Sequence, residues 1–193
     1  LVMSPLALKE FSNSLISIPL FLSNFQFWSE SGYFATAAEE KPLLHTWSLA
    51  VEEQYYLFFP LLVIFTWKLG LNSLTLFIIL ISIFSFFLSQ FGANLNPNFP
   101  FIEDDLKINA VPEYSFFFSI TRAWELLFGS LTAIYLIHKK EDNQIKNQLF
   151  SLIGILLISY PIFFYDYTTQ FPGFSALVPV IGTVLLIVFS NQG

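Results

Sequence analysis

Long stretches without a charged residue constrain this chain more than any other feature of its sequence. Residues 72–91 and 148–165 contain no charge, and 174–190 is a shorter run of the same kind. A helix that crosses a bilayer needs about 20 mostly apolar residues. A helix in a soluble protein would show polar residues at a 3.6-residue period, and these stretches lack that period. The sequence therefore predicts an all-α integral membrane protein.

The predicted architecture is a multi-helix transmembrane bundle. Hydrophobic residues make up 55% of the chain and charged residues 11%, and that charged share is about half the usual one for a soluble domain. Segment 11–28 is shorter and is interrupted by Pro19 and several polar residues, so we expect an interfacial or re-entrant helix there, with a further crossing as the alternative. The five predicted spans are 47–67, 72–91, 115–138, 148–165 and 174–190.

The distribution of lysines predicts the orientation of these spans. Four lysines lie in the turn at Lys68 and in the loop 139–147, whereas most of the acids lie in the other loops. Because short cytoplasmic loops carry an excess of Lys and Arg, 68–71 and 139–147 are expected in the cytoplasm. The net charge of −6 comes from the outer loops and argues against a nucleic-acid partner.

Two adjacent acids, Glu52 and Glu53, lie near the start of the first predicted span, shortly before eleven uncharged residues at 57–67. Carboxylates at membrane depth usually face a bundle interior or a wet cavity. The alternative is complementation of the helix dipole, which favours acids in a first turn by up to about 1 kcal/mol. We interpret the pair as candidate catalytic residues in a polar site.

Other polar residues share a helix face with Glu52. Residues three, four and seven apart lie on one face, and Glu53 lies about 100° away from it. His45 is a further catalytic candidate, and its alternative role is that of a helix cap or interface residue. The stripe consists of His45, Ser48, Glu52 and Tyr55 or Tyr56.

A second polar cluster surrounds Arg122, the only arginine in the chain. Arg122 and Glu125 are three residues apart and can pair on one helix face. The planar guanidinium suits carboxylates and phosphates, so the cluster either binds substrate or holds two helices together. In both cases we expect Arg122 near an acid of the other helix, in the bundle interior and within salt-bridge reach of Glu125, Glu52 or Glu53. Trp47 and Trp124, each beside a charged cluster, complete the predicted polar network.

Several site classes are excluded or disfavoured. The chain has no cysteine, and its two histidines, His45 and His138, lie on opposite sides of the membrane in this topology. A paired-histidine metal site is therefore not expected, and no residue can be assigned to cofactor binding. A transporter or flippase of lipid-linked sugars would also use intramembrane acid–base pairs, and a membrane scaffold or sensor is a further alternative.

The run KPLLHTWSLAVEEQYY at 41–56 strongly resembles the hallmark of the acyltransferase 3 family of integral membrane O-acyltransferases. The stretches FSITRAWELLFG at 118–129, FPGFSALVP at 171–179, LSNF at 22–25 and SGYF at 31–34 fit the same family. The resemblance implies that 1–193 is the central part of one acyltransferase 3 membrane domain, truncated at both ends.

The resemblance also implies an activity. Such enzymes transfer an acyl group, here acetyl by expectation, from cytoplasmic acyl-CoA to a hydroxyl of a cell-surface polysaccharide or lipid-linked glycan. O-antigen, lipopolysaccharide and peptidoglycan are the expected acceptors, and longer members often carry an SGNH-hydrolase domain. We expect a multi-pass protein in contact with the lipid of a bacterial cytoplasmic (inner) membrane.

This sequence departs from the family pattern in one respect that concerns activity. The histidine regarded as catalytic in the family lies in an earlier helix, and an arginine-rich segment linked to the acyl-CoA donor follows it. Neither has a counterpart in this sequence. We therefore expect the chain alone to be inactive, with Glu52 serving to orient such a histidine or to bind the acceptor hydroxyl.

Overall fold

The computed structural model describes residues 4–30, 41–95, 116–138, 144–166, 169 and 172–190, and the predicted all-α fold is confirmed within these ranges. Seven helices lie in them, and four are long and apolar enough to cross a membrane. The helices are α1 (Pro5–Ser17), α2 (Ser23–Ser29), α3 (Thr46–Trp67), α4 (Leu71–Leu95), α5 (Ser119–His138), α6 (Gln144–Phe164) and α7 (Phe174–Phe189).

The four long helices correspond to the first four predicted spans, with candidate membrane segments Thr46–Trp67, Leu71–Phe91, Ser119–Ile137 and Asn147–Phe164. The fifth prediction, 174–190, corresponds to α7, an apolar helix of 16 residues. A helix of that size is about 24 Å long, which is shorter than a hydrocarbon core of about 30 Å.

The segment predicted as interfacial or re-entrant, 11–28, is divided between α1 and α2. The chain bends between them at Phe21, whose φ is 56°. The bend is held by backbone hydrogen bonds from Phe21 N to Ile18 O and from Leu22 N to Ser17 O. Neither helix is long enough to cross a bilayer, since α1 has 13 residues and α2 has 7.

One predicted boundary differs from the structure. The third span was expected to start at 115, but α5 begins at Ser119. The helical path is interrupted at Phe118, and the two residues before this break, Phe116 and Phe117, pack against Trp47 of α3. Arg122 is consequently the fourth residue of α5 and lies nearer to the helix start than the sequence predicted.

The helices pack mainly as neighbouring pairs. α4 and α5 form one close pair, α6 and α7 form another, and α5 contacts α7. Leu74 and Ile78 of α4 meet Leu127 of α5 in a buried cluster, against which Phe59 and Leu62 of α3 pack. The α2 helix lies on α3, and α1 lies on α2.

Contacts between helix termini show which ends lie together. Trp47, near the start of α3, touches Phe116 just before α5. Gln90, late in α4, accepts a hydrogen bond from the Phe174 N–H at the start of α7, at 2.9 Å. The starts of α3, α5 and α7 therefore gather beside the end of α4, and we call this the Trp47 end of the bundle.

Candidate polar site at the Trp47 end

The centre of the site is an ion pair within α5. Arg122 Nε lies 3.1 Å from Glu125 Oε1, and Arg122 Nη2 lies 2.9 Å from Glu125 Oε2. The two side chains are 12% and 20% exposed. Two parallel N–H···O bonds of this kind are the strong form of an arginine–carboxylate contact. The expectation that Arg122 lies in the interior within salt-bridge reach of an acid is confirmed, but the acid is Glu125 of the same helix and not one from α3, as had also been expected.

Two aromatic rings cover the guanidinium of Arg122. Its Cζ lies 5.1 Å from the ring centroid of Trp47 and 5.4 Å from that of Phe116. The two rings contact each other, with centroids 4.6 Å apart. A cation within about 6 Å of an aromatic ring is attracted by its π face. Trp47 thereby links the start of α3 to the ion pair of α5.

The two acids of α3, Glu52 and Glu53, follow Trp47 by more than one helical turn along the same helix. Glu52 is exposed, and Glu53 is half-buried. Within the described residues, the salt bridge of Arg122 is made to Glu125 and not to either of these acids. Their predicted catalytic role stays a prediction.

His45 and Ser48 lie at the N-terminus of α3. His45 is the N-cap residue of the helix, its side chain is exposed, and it makes no capping hydrogen bond. Ser48 Oγ donates to the His45 carbonyl oxygen at 3.2 Å. The helical spacing predicts that both residues share a side of α3 with Glu52, and their roles in function stay predictions.

Tyr55 joins α3 to α5 deeper in the bundle. Its hydroxyl forms a hydrogen bond with Ser130 Oγ, and its ring stacks on Phe59 with centroids 5.0 Å apart. The ring is half-buried among the core residues of α3, α4 and α5. Tyr55 thus faces a neighbouring helix, whereas Glu52 of the same stripe is exposed.

Trp124 fills the contact between α4 and α5. It is fully buried, and its ring meets Phe86 edge-on with centroids 5.1 Å apart. Its backbone N–H donates to Ser85 Oγ at 3.0 Å, and Ser85 Oγ donates to the Ile120 carbonyl at 2.6 Å. Trp124 Nε1 is buried without a hydrogen-bond partner in the part of the chain that the structure describes.

Three polar residues that the sequence did not single out form a closed ring at the same end. Asn24 Nδ2 donates to Ser119 Oγ at 3.4 Å, Ser119 Oγ donates to Gln54 Oε1, and Gln54 Nε2 donates to Asn24 Oδ1 at 3.1 Å. We call these three residues the amide ring. The sequence contained a signal for these residues. Amide side chains such as those of Asn24 and Gln54 are uncommon in membrane spans, and all three residues lie within the stretches that resemble the family.

A cavity of about 270 Å³ lies between α3 and α5. Gln54, Tyr55 and Ser119 line it together with apolar side chains of both helices. A second cavity, of about 290 Å³, lies between α5 and α7 and has Glu125 in its wall. Both cavities are mostly apolar, and each has part of the polar site in its wall.

Comparisons with known proteins agree with the motifs. A family profile described as an acyltransferase domain matches residues 10–193. An uncharacterized protein of Haemophilus influenzae is 36% identical over 175 residues, which cover 89% of this chain and 68% of that protein. The O-acetyltransferase OatA of Staphylococcus aureus is 39% identical over 66 residues, or 34% of this chain and 11% of OatA. No solved structure matches the chain.

Proposed function

Because the chain belongs to the acyltransferase 3 family, we propose that the protein containing it is an O-acyltransferase of a bacterial cytoplasmic membrane. The acyl group, acetyl by expectation, comes from cytoplasmic acyl-CoA. The acceptor is a hydroxyl of a cell-surface polysaccharide, such as O-antigen or peptidoglycan, or of its lipid-linked precursor. The observation that carries the proposal is the family match across 10–193, and the similarity to an O-acetyltransferase over 66 residues supports it.

The chemistry of the transfer defines what the polar site must supply. A hydroxyl oxygen attacks the acyl carbonyl carbon, the carbon–sulfur bond of the thioester breaks, and coenzyme A leaves as the thiol. A general base takes the hydroxyl proton. In our proposal that base is a histidine from outside this chain, and Glu52 orients it or accepts a hydrogen bond from the acceptor hydroxyl. His45 and Glu53 are the other candidates for this role.

The ion pair has a separate part in the proposal. Arg122 and Glu125 neutralise each other, which keeps two charges tolerable beside a lipid environment. The bidentate geometry and the covering rings of Trp47 and Phe116 fix the start of α5 against the start of α3. In the proposal, the ion pair therefore holds in place the part of α3 that carries Glu52.

The test uses membranes that contain the complete protein, supplied with radiolabelled acetyl-CoA and a polysaccharide acceptor. We expect acetyl transfer, and we expect Glu52→Gln to reduce it at least about tenfold with normal membrane insertion, because Glu52 is proposed to orient a general base that itself contributes about 10²–10⁴-fold. Glu53→Gln should be milder, since Glu53 lies off the stripe of His45, Ser48 and Tyr55.

Lys68→Gln is the control, because it removes an exposed charge at the opposite end of α3. Its acetyl transfer should equal that of the unaltered protein. A stronger effect of Glu53→Gln than of Glu52→Gln would assign the site to the other face of α3. Movement of a lipid-linked sugar across the membrane, without consumption of acetyl-CoA, would contradict the proposal and favour a flippase.

A further inference from the structure

The amide ring uses every hydrogen-bond donor that its side chains possess. Beyond the three bonds of the ring, Asn24 Nδ2 also donates to the Phe117 carbonyl at 3.2 Å, and Gln54 Nε2 also donates to the Phe21 carbonyl at 2.6 Å. Two amides and one hydroxyl carry five donor hydrogens. Each of the five therefore has an acceptor, which makes the ring a complete polar network.

The ring joins three elements that are distant in the sequence. Asn24 lies in α2 and is fully buried, Gln54 lies in α3, and Ser119 is the first residue of α5. The two carbonyls that it engages lie outside α2, α3 and α5: Phe21 in the bend before α2, and Phe117 just before the break that precedes α5. The ring therefore attaches α3 to both neighbours at one level of the bundle.

Apolar packing alone would hold the rotation of α3 weakly. Lipid tails are as apolar as Leu or Phe side chains, so a helix in a bilayer gains little from turning one apolar face inward. Rotation of α3 that removes Gln54 from the ring would leave buried amide groups without partners, and such groups are costly in a membrane. The ring consequently selects one rotation of α3.

We propose that the amide ring is a positioning device: it fixes the rotation of α3 about its own axis. That rotation determines which of the two acids, Glu52 or Glu53, is exposed. Gln54 directly follows Glu53, and successive helix residues point about 100° apart. With the ring closed, Glu52 is exposed and Glu53 is half-buried. The use of this orientation in acyl transfer rests on the proposed function, whereas the orientation itself does not.

The test measures the exposure of positions 52 and 53 directly. These 193 residues contain no cysteine, so Glu52→Cys and Glu53→Cys can be introduced singly into the complete protein after any cysteine elsewhere in it has been replaced by serine. The probe is a small methanethiosulfonate reagent applied to membranes. With the ring intact, position 52 should react faster than position 53. Ser119→Ala or Gln54→Leu should change the ratio of the two rates by about threefold or more, a change on the scale of one lost hydrogen bond.

Two further variants separate positioning from general damage. Ser119→Thr keeps the hydroxyl and should restore the rate ratio. Ser159→Ala removes an exposed hydroxyl of α6 that bonds only within its own helix, to Ile155 O at 2.8 Å, and should leave the ratio unchanged. Ser119→Ala removes a single oxygen, so it keeps the test usable if Gln54→Leu fails to fold.

The outcomes distinguish this inference from the proposed function. An unchanged ratio in folded Ser119→Ala protein, or an equal change in Ser159→Ala, would overturn the positioning role. A changed ratio that Ser119→Thr restores supports it, whatever the enzyme assay gives. If acetyl transfer follows, kcat should fall together with the ratio while KM for acetyl-CoA stays constant. A changed ratio with unaltered acetyl transfer would count against the acid pair in catalysis and not against the ring.

Discussion

At the scale of single residues, Arg122 shows how this chain keeps a charge beside lipid. Its guanidinium is paired with Glu125 and covered by the rings of Trp47 and Phe116. The ion pair could be expected from the sequence, because residues three apart on a helix can meet. The rings could not, since Trp47 is 75 positions away from Arg122 in the chain and no local pattern brings them together.

Removal of one charge from this pair should destabilise the protein strongly. Arg122→Ala strands the Glu125 carboxylate in a largely buried place, and breaking such a pair typically costs about 3–5 kcal/mol. We expect a lower yield of folded protein and a lower denaturation midpoint in detergent. The yield is measured by size-exclusion chromatography of the solubilised protein. Arg122→Lys should retain more of the yield than of the activity, because lysine keeps the charge but not the bidentate geometry.

A double variant makes this prediction specific. Arg122→Met combined with Glu125→Leu removes both charges and should be milder than either single change, since no buried charge is left unpaired. Lys68→Ala, which removes an exposed cation at the end of α3, is the control and should have little effect. A double variant as unstable as the sum of the two single variants would show that the pair does not act as a unit.

At the scale of elements, α6 and α7 approach each other closely at two glycines. A Cβ added at Gly154 would lie 2.8 Å from the Gly182 carbonyl oxygen and 3.1 Å from Leu186 Cγ. A Cβ at Gly182 would lie 2.8 Å from the Gly154 carbonyl oxygen and 2.9 Å from Ile158 Cγ1. Small residues that let two helix backbones approach are a common basis of packing in membranes.

Even a methyl group at this contact should separate the two helices. We expect Gly154→Ala to destabilise the protein by about 1–3 kcal/mol, the usual cost of overpacking, in denaturant unfolding of the detergent-solubilised protein. Gly129→Ala is the matched control, because nothing lies within 4 Å of a Cβ added there. It should be neutral or stabilising by up to about 1 kcal/mol, the helix-propensity gain of alanine over glycine. Equal effects at both glycines would contradict the close contact.

At the scale of the whole molecule, the contacts between helix ends show that α3, α5 and α7 begin at the end of the bundle where α4 ends. The polar residues of the site, from Trp47 to Glu125, gather at the end where α3, α5 and α7 begin. In our proposal this end faces outward, toward the polysaccharide acceptor, because the turn at Lys68 and the loop 139–147 carry the lysines. The orientation is a property of the sequence and is open to direct test.

Single cysteines should report this orientation in intact cells. Lys68→Cys, in the turn between α3 and α4, should resist an impermeant thiol reagent, whereas Pro42→Cys, before α3, should react. Asn143→Cys should behave as Lys68→Cys does, and a position in 95–110 should behave as Pro42→Cys does. Positions 143 and 96–110 lie outside the described residues. Reaction at position 143 in intact cells, or protection at position 42, would reverse the topology and place the acid pair on the cytoplasmic side.

The sequence by itself determined the class of the fold, the four long spans and the Arg122–Glu125 pair. Each follows from local information. The fold class and the spans follow from the length of the apolar runs, because a backbone in lipid must satisfy its own hydrogen bonds as a helix. The ion pair follows from the spacing of its two residues along one helix. Only the tertiary structure decided which face of α3 is buried, how the amide ring closes, where α5 begins and how closely Gly154 meets Gly182. Hydropathy could not reveal these, because lipid and protein interior are both apolar and leave no polar stripe to mark the buried face.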